Sequence, residues 1–351
     1  MTARWLPLAF CVMFAAPTAG AAQSTRYVLK GDSVAVYNLV GELRVEPGSG
    51  SDVAVQVTRG GADAARLDVQ SGPIDGRETL RIIYPEDVIS LPDWGRGWNT
   101  TLRVRDDGTF GDGGRWRREG REVRITGRGR GMEAYADLKV TVPPGKRVVL
   151  HLGVGKAFVT NVDGAISVQV SSADIFAEGT RGSLKLDTGS GNIDARNLSG
   201  DVGLESGSGD ITATGLHGGR VKVETGSGNI TLTGAEATSL KLSTGSGEIT
   251  VTGAKGEELA FESGSGNIDV ALTATFSRLA VETGSGDVTV RVPPTIGAEV
   301  DLDTGSGEID LGGLTIQVRR LSEDHITGTI GDGRGRLSIE TGSGNVRLVK
   351  S

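Results

Sequence analysis

Across the C-terminal two thirds of this 351-residue chain, apolar and polar residues alternate with a period of two, in short runs separated by glycine. In Val221-Lys222-Val223-Glu224-Thr225 the apolar side chains fall on one face and the charged ones on the other, and Ile230-Thr231-Leu232-Thr233 repeats the alternation after a turn. Side chains of a strand point alternately to its two faces, so each run predicts a half-buried strand with Val, Ile and Leu inward. Between the runs, Gly226-Ser227-Gly228-Asn229 predicts a tight turn, its glycines free to take positive φ. The return turn, as in Gly234-Ala235-Glu236-Ala237-Thr238, is looser, and unit length varies there.

The unit recurs. Gly-Ser-Gly begins at Gly189, Gly207, Gly226, Gly245, Gly264, Gly284, Gly305 and Gly342, in steps of 18, 19, 19, 19, 20, 21 and 37 residues. The last step is nearly two ordinary ones, and Leu321 to Ile326 reads as a coil that has lost its glycines. Ser171-Ser172-Ala173-Asp174-Ile175 and Gly153-Val154-Gly155 read as two earlier degenerate coils. About eleven coils of roughly 18–20 residues result, with two strands each. The few apolar side chains of one coil cannot offset its backbone entropy, so coils must stack, each strand hydrogen-bonding to the coils on either side. The predicted fold is all-β: a single-chain β-solenoid, β-helix- or β-roll-like, about 50 Å long at about 4.8 Å per coil.

Residues 23–142 lack the repeat. Tyr27 to Val36, Val53 to Thr58, Leu80 to Tyr84 and Asp137 to Val142 predict strands of a β-rich cap over the first coil's edge, and 92–131, rich in Gly, Arg and Trp, predicts a long hairpin or a partly mobile excursion. The solenoid is expected over 143–351. Its final coil, Leu337 to Ser351, keeps the motif and has no capping segment after it. An edge of unpaired N–H and C=O groups templates further stacking, which predicts a covering partner near Ile339 and Val346: a second copy, self-associating through the C-terminal coil, or another envelope protein.

The Thr-Gly-Ser-Gly-Asn-Ile type of repeat, the Val142-Pro143-Pro144-Gly145 step into the first coil and the strand-rich lead together resemble a bacterial family of presumptive adhesins of unknown function. That resemblance implies a β-helical exported protein with an adhesive role, and it supplies no catalytic residues. The calcium-binding nonapeptide repeats of secreted toxins are a weaker similarity. They place Gly-Gly-x-Gly-x-Asp at both turns, whereas here the motif occurs once per coil and its fourth residue is as often Asn or Glu as Asp.

The first residues add a compartment. Arg4, the apolar run Trp5 to Ala16 and the small residues through Ala22 predict a secretory signal peptide over 1–22, too short to span a bilayer, which takes about 20 apolar residues. An exported protein follows, in the periplasm, on the outer cell surface or outside the cell. Cys11 lies in that leader and is the single cysteine, so disulfides and thiolate metal sites are excluded from the mature chain. A net charge of −7 argues against a general nucleic-acid binder.

Candidate chemistry is sparse. His151, His217 and His325 are far apart, no metal-ligand or nucleophile motif occurs, and strands follow every Gly-Ser-Gly where phosphate-binding loops need a helix. No cofactor is expected. A carbohydrate-active β-helix enzyme, a polysaccharide lyase or hydrolase, is the alternative to a binding or structural rod, and it requires a local break in the repeat. Two surfaces stand out. Two residues before each first motif glycine stand Asp187, Glu205, Glu224, Ser243, Glu262, Glu282, Asp303 and Glu340, an outward acidic column. Lys185, Lys222 and Lys241 compensate it in three coils, leaving it strongest from Glu262 through Glu282 to Asp303, where a divalent cation or a basic partner would fit. In the excursion, Trp94, Trp98 and Trp116 are interleaved with arginines including Arg117, a pattern suited to an anionic envelope glycan.

Overall fold

Residues 23–91, 99–111 and 120–351 are described in the computed structural model. The lead contains β1 (Gln23–Leu29), β2 (Ser33–Pro47), β3 (Val53–Gly60), β4 (Asp68–Ile74) and β5 (Arg77–Ile83), a small sheet of β6 (Val88–Ser90), β7 (Asn99–Val104) and β8 (Arg121–Thr126), and then β9 (Tyr135–Val142). The strands expected at 53–58, 80–84 and 137–142 form as β3, β5 and β9. The run expected from Tyr27 to Val36 divides, because Gly31, at φ 109°, turns the chain between β1 and β2. Within 92–131, β7 pairs antiparallel with β8.

β2 stacks in parallel on β10 (Lys146–Thr160), from Ser33 beside Arg147 to Val45 beside Val159, so the coils begin inside the segment expected as a cap. β5 and β9 cover the outer edge of β2, one on each half. From β10 the parallel stack continues through β11 (Asp163–Glu178), β12 (Arg181–Thr188), β13 (Ile193–Ser206), β14 (Ile211–Thr225), β15 (Ile230–Thr244), β16 (Ile249–Ser263), β17 (Ile268–Leu272), β18 (Arg278–Thr283) and β19 (Val288–Val292). The inward positions form continuous rows. Leu204, Val223, Leu242, Phe261 and Val281 are register neighbours from coil to coil and at most 1% exposed, and Ile211, Ile230, Ile249 and Ile268 make a second row. The period-two reading of inward and outward faces therefore holds.

The motif glycines have a different physical role from the one their sequence suggests. A Cβ at Gly228 would lie 2.0 Å from the Gly209 carbonyl oxygen, and one at Gly247 would lie 1.9 Å from that of Gly228. The corners stack backbone on backbone, and a side chain would force them apart. Positive φ occurs at the corner in Gly286 and Gly344, at 157° and 154°, but it marks the return turn, where Gly215, Gly234 and Gly253 lie at 66°, 64° and 73° and let β14, β15 and β16 bend from one coil into the next.

Chain order and stacking order part company at the far end. After β19 come β20 (Ala298–Thr304), β21 (Ile309–Asp310), β22 (Ile316–Leu321), β23 (His325–Ile330), β24 (Gly335–Thr341) and β25 (Val346–Lys350). β24 lies between β18 and β20, and β25 between β19 and β21. The last coil in sequence is thus inserted beneath the one before it. Ile339 and Val346, 1% and 0% exposed, are core residues with strands on both sides, so the open edge expected there is corrected. Leu321 to Ile326 is likewise no coil: it carries the turn of the antiparallel β22–β23 hairpin, which pairs through β23 with the outer edge of β20.

Candidate binding surface

The corner that carries Thr-Gly-Ser-Gly-Asn is laddered twice. Just before each first glycine stands a buried Ser or Thr whose hydroxyl donates to the carbonyl of the coil beneath: Ser206 to Gly191 at 2.9 Å, Thr225 to Gly209 at 2.8 Å, Thr244 to Gly228 at 2.9 Å, Ser263 to Gly247 at 2.9 Å and Thr304 to Gly344 at 2.8 Å. In the first coil Asn38 takes this part, its Nδ2 donating to the Ala136 carbonyl at 2.7 Å. At the fourth motif position a side-chain oxygen accepts from the backbone N–H of the next coil, as from Asn229 to Asp210 at 2.8 Å and from Glu248 to Asn229 at 2.9 Å. Asn and Asp recur there because they reach this N–H, an explanation calcium does not enter. The hydroxyl column is readable in the sequence as an unbroken run of Ser and Thr before the glycine.

The acidic column faces outward as expected, and the stacking order sharpens it. Glu262, Glu282, Glu340 and Asp303 are successive register neighbours, since β24 places Glu340 between the last two. Toward the other end the column is neutralised: Lys222 Nζ lies 2.6 Å from Glu224 and 3.9 Å from Glu205, and Lys185 Nζ lies 3.1 Å from Glu205. Burial, and next the Glu205 carboxylate, raise the Asp187 pKa above the ordinary carboxylate value, with Lys185 opposing. Lys241 is 3.9 Å from Glu262, and His325 Nδ1 is 3.8 Å from Asp303. Among the described residues no group of three or more His, Cys, Asp or Glu side chains is arranged to hold a metal ion.

The repeat breaks at one corner. A cleft of about 570 Å³ opens where the lead meets the first coils, with Glu42, Tyr135, Asp137, Lys156, Asp174 and Ser190 in its lining. Asp137 is half-buried, and burial raises its pKa even as it accepts a hydrogen bond from the Glu42 N–H at 2.8 Å. Glu42 itself is bound to Arg44, and Asp174 accepts from the Asn192 N–H at 2.8 Å. The three histidines stay apart, in β10, β14 and β23; His151 is stacked on Tyr37 at 4.2 Å within the core. Trp94, Trp98, Trp116 and Arg117 lie outside the described residues. Of the neighbouring arginines, Arg103 pairs with Glu122 at 2.8 Å and Arg121 with Asp87, across the small sheet.

Parallel coils, laddered corners and a charged outer face make this chain a β-solenoid. It belongs to the Toastrack DUF4097 family, whose profile matches residues 137–349, more than half of the chain. Among solved structures, a presumptive cell adhesion protein from Clostridium sporogenes aligns over 94% of this chain and 100% of its own at 10% identity, with a TM-score of 0.22, too low to carry an argument. No curated protein matches the chain.

Proposed function

We propose that this chain is an exported, non-catalytic protein of the bacterial cell envelope, a stiff rod that serves adhesion or scaffolding. The observation that carries the reading is the use made of the repeated polar residues. Hydroxyls and Asx side chains at the glycine corner are spent on ladder bonds between coils, while outward positions repeat similar charges at about 4.8 Å intervals. Such a surface suits multivalent contact better than a single turnover site. Export rests on the leader read at residues 1–22; no helix among the described residues is long and apolar enough to cross a membrane.

A carbohydrate-active enzyme is the second reading, and one observation favours it: the cleft at the broken corner holds Asp137, a carboxylate whose pKa is raised by burial. Against that role, one Asp137 oxygen is committed to the backbone of β2, and Glu42 is held by Arg44. Incubating the purified chain with isolated envelope glycans and envelope proteins separates the readings. Saturable binding without new reducing ends or unsaturated sugars is expected. Release of such products, lost in Asp137→Asn, would establish the enzyme and end the rod proposal.

A further inference from the structure

At the far end the outward face of the sheet hollows into a trough of about 430 Å³ spanning β18, β24, β20, β23 and β22. Three guanidinium groups line it, from Arg278, Arg319 and Arg336, together with the Glu299 and Asp301 carboxylates and the hydroxyls of Ser338 and Thr327. Both carboxylates have partners: Glu299 Oε1 lies 3.7 Å from Arg319 Nη2, and Asp301 Oδ1 lies 2.9 Å from His325 Nε2. Arg278 and Arg336 are different. They are register partners on adjacent strands, about 4.8 Å apart, and among the described residues neither has a carboxylate oxygen within 4.0 Å, although Glu258 neighbours Arg278 on one side of the pair and Glu299 neighbours Arg336 on the other. Like charges side by side on adjacent strands cost stability, and both side chains point away from the core, which places no demand on them.

Two neighbouring guanidinium forks in a concave site match an oxyanion, which takes bidentate hydrogen bonds from such groups. The flanking hydroxyls suit a sugar. Four positions further along the same strands stand Glu282, Glu340 and Asp303, about 13 Å away, and they repel a polyanion laid across the face. With that strip on one side and Glu258 and Glu299 at either end of the arginine row, the end of an anionic chain fits better than its middle. We propose that the trough binds the anionic group, carboxylate or phosphate, of a terminal sugar residue of an envelope glycan, with Arg278 and Arg336 as its principal ligands. This site rests on the envelope-binding reading and names the ligand class for it.

Calorimetric titration of the full chain with glucuronic acid, glucose 6-phosphate, glucose and inorganic phosphate tests the site. Both charged sugars are expected to bind and glucose is not. Arg278→Ser and Arg336→Ser should each weaken binding about tenfold or more, the loss of one charged hydrogen-bonding partner. Arg220→Ser, on the same outward row but in a regular coil, should leave it unchanged. Inorganic phosphate binding as tightly as the sugar phosphate would overturn the sugar assignment. Charged sugars that fail to bind, or that bind the two arginine variants as they bind the wild type, would overturn the site. In that case unaltered binding of whole envelope glycans leaves the rod reading standing, whereas cleavage of those glycans removes it whatever the arginine variants do.

Discussion

Thr225 does two jobs at one corner: its hydroxyl donates to the Gly209 carbonyl at 2.8 Å and accepts from the Gly228 N–H at 3.2 Å. Thr225→Val keeps the shape and strands both groups in a buried place, so urea unfolding should show a loss of about 1–3 kcal/mol, while Thr225→Ser should lose much less. Two positions away the faces can be compared directly. Val223→Asp puts an unpaired charge into the internal row and should abolish cooperative melting, whereas Glu224→Lys, on the half-exposed column, should shift the melt only slightly. The reverse ranking would mean that the register is misassigned by one residue. Asp187 gives a pH signature. Its pKa is raised on folding, so its contribution to stability is full below the ordinary carboxylate range and is lost as pH rises through the raised value. Asp187→Asn should therefore melt above the wild type at pH 7, with the gap closing on acidification. A gap that widens toward low pH would contradict the burial of this group.

At the scale of strands, alternation made the inward rows legible from sequence because strand geometry admits only two faces. The glycines were located correctly but explained only in part: sequence shows that a residue is small without showing whether φ or a neighbouring backbone demands it, and at Gly228 it is the Gly209 carbonyl. β22 and β23 were illegible as a hairpin because their spacing imitates one missing coil, and β2 passed for a cap strand because its corner has Asn38 and Gly41 where the later coils have Thr and Gly-Ser-Gly. Neither corner cleft nor arginine trough is a motif; each exists only where strands distant in sequence are brought side by side. Strand order also reaches the acidic column. With β24 between β18 and β20, Glu340 stands between two acids and lacks the lysine that lies 3.9 Å from Glu262. Glu340→Gln should raise stability at low ionic strength by about 0.2–1 kcal/mol, more than Glu262→Gln does. The gain should fade as salt shortens the screening length from about 30 Å at 0.01 M to about 3 Å at 1 M. A gain that persists in high salt would point to packing instead of charge.

For the molecule as a whole, the inserted coil changes how the stack can come apart. A solenoid whose coils follow chain order can fray from its last repeat, one coil peeling away after another with the free chain trailing behind it. Here the strands last in sequence, β24 and β25, lie between neighbours, and the coil outside them, at 298–310, is tethered at both ends, to β19 on one side and through the hairpin to β24 on the other. Lifting the outer coil alone leaves it looped to the rod, and withdrawing the inner one breaks two ladders at once. Amide hydrogen exchange should show this: Ile339 and Val346 should exchange as slowly as Leu242 in the middle of the rod, while β21 and β22, each paired on one side, should exchange quickly. Rapid exchange at Ile339 would mean that the inner coil slips out on its own. With the chain folded under itself in this way, the far end of the rod offers no loose thread from which unravelling could start.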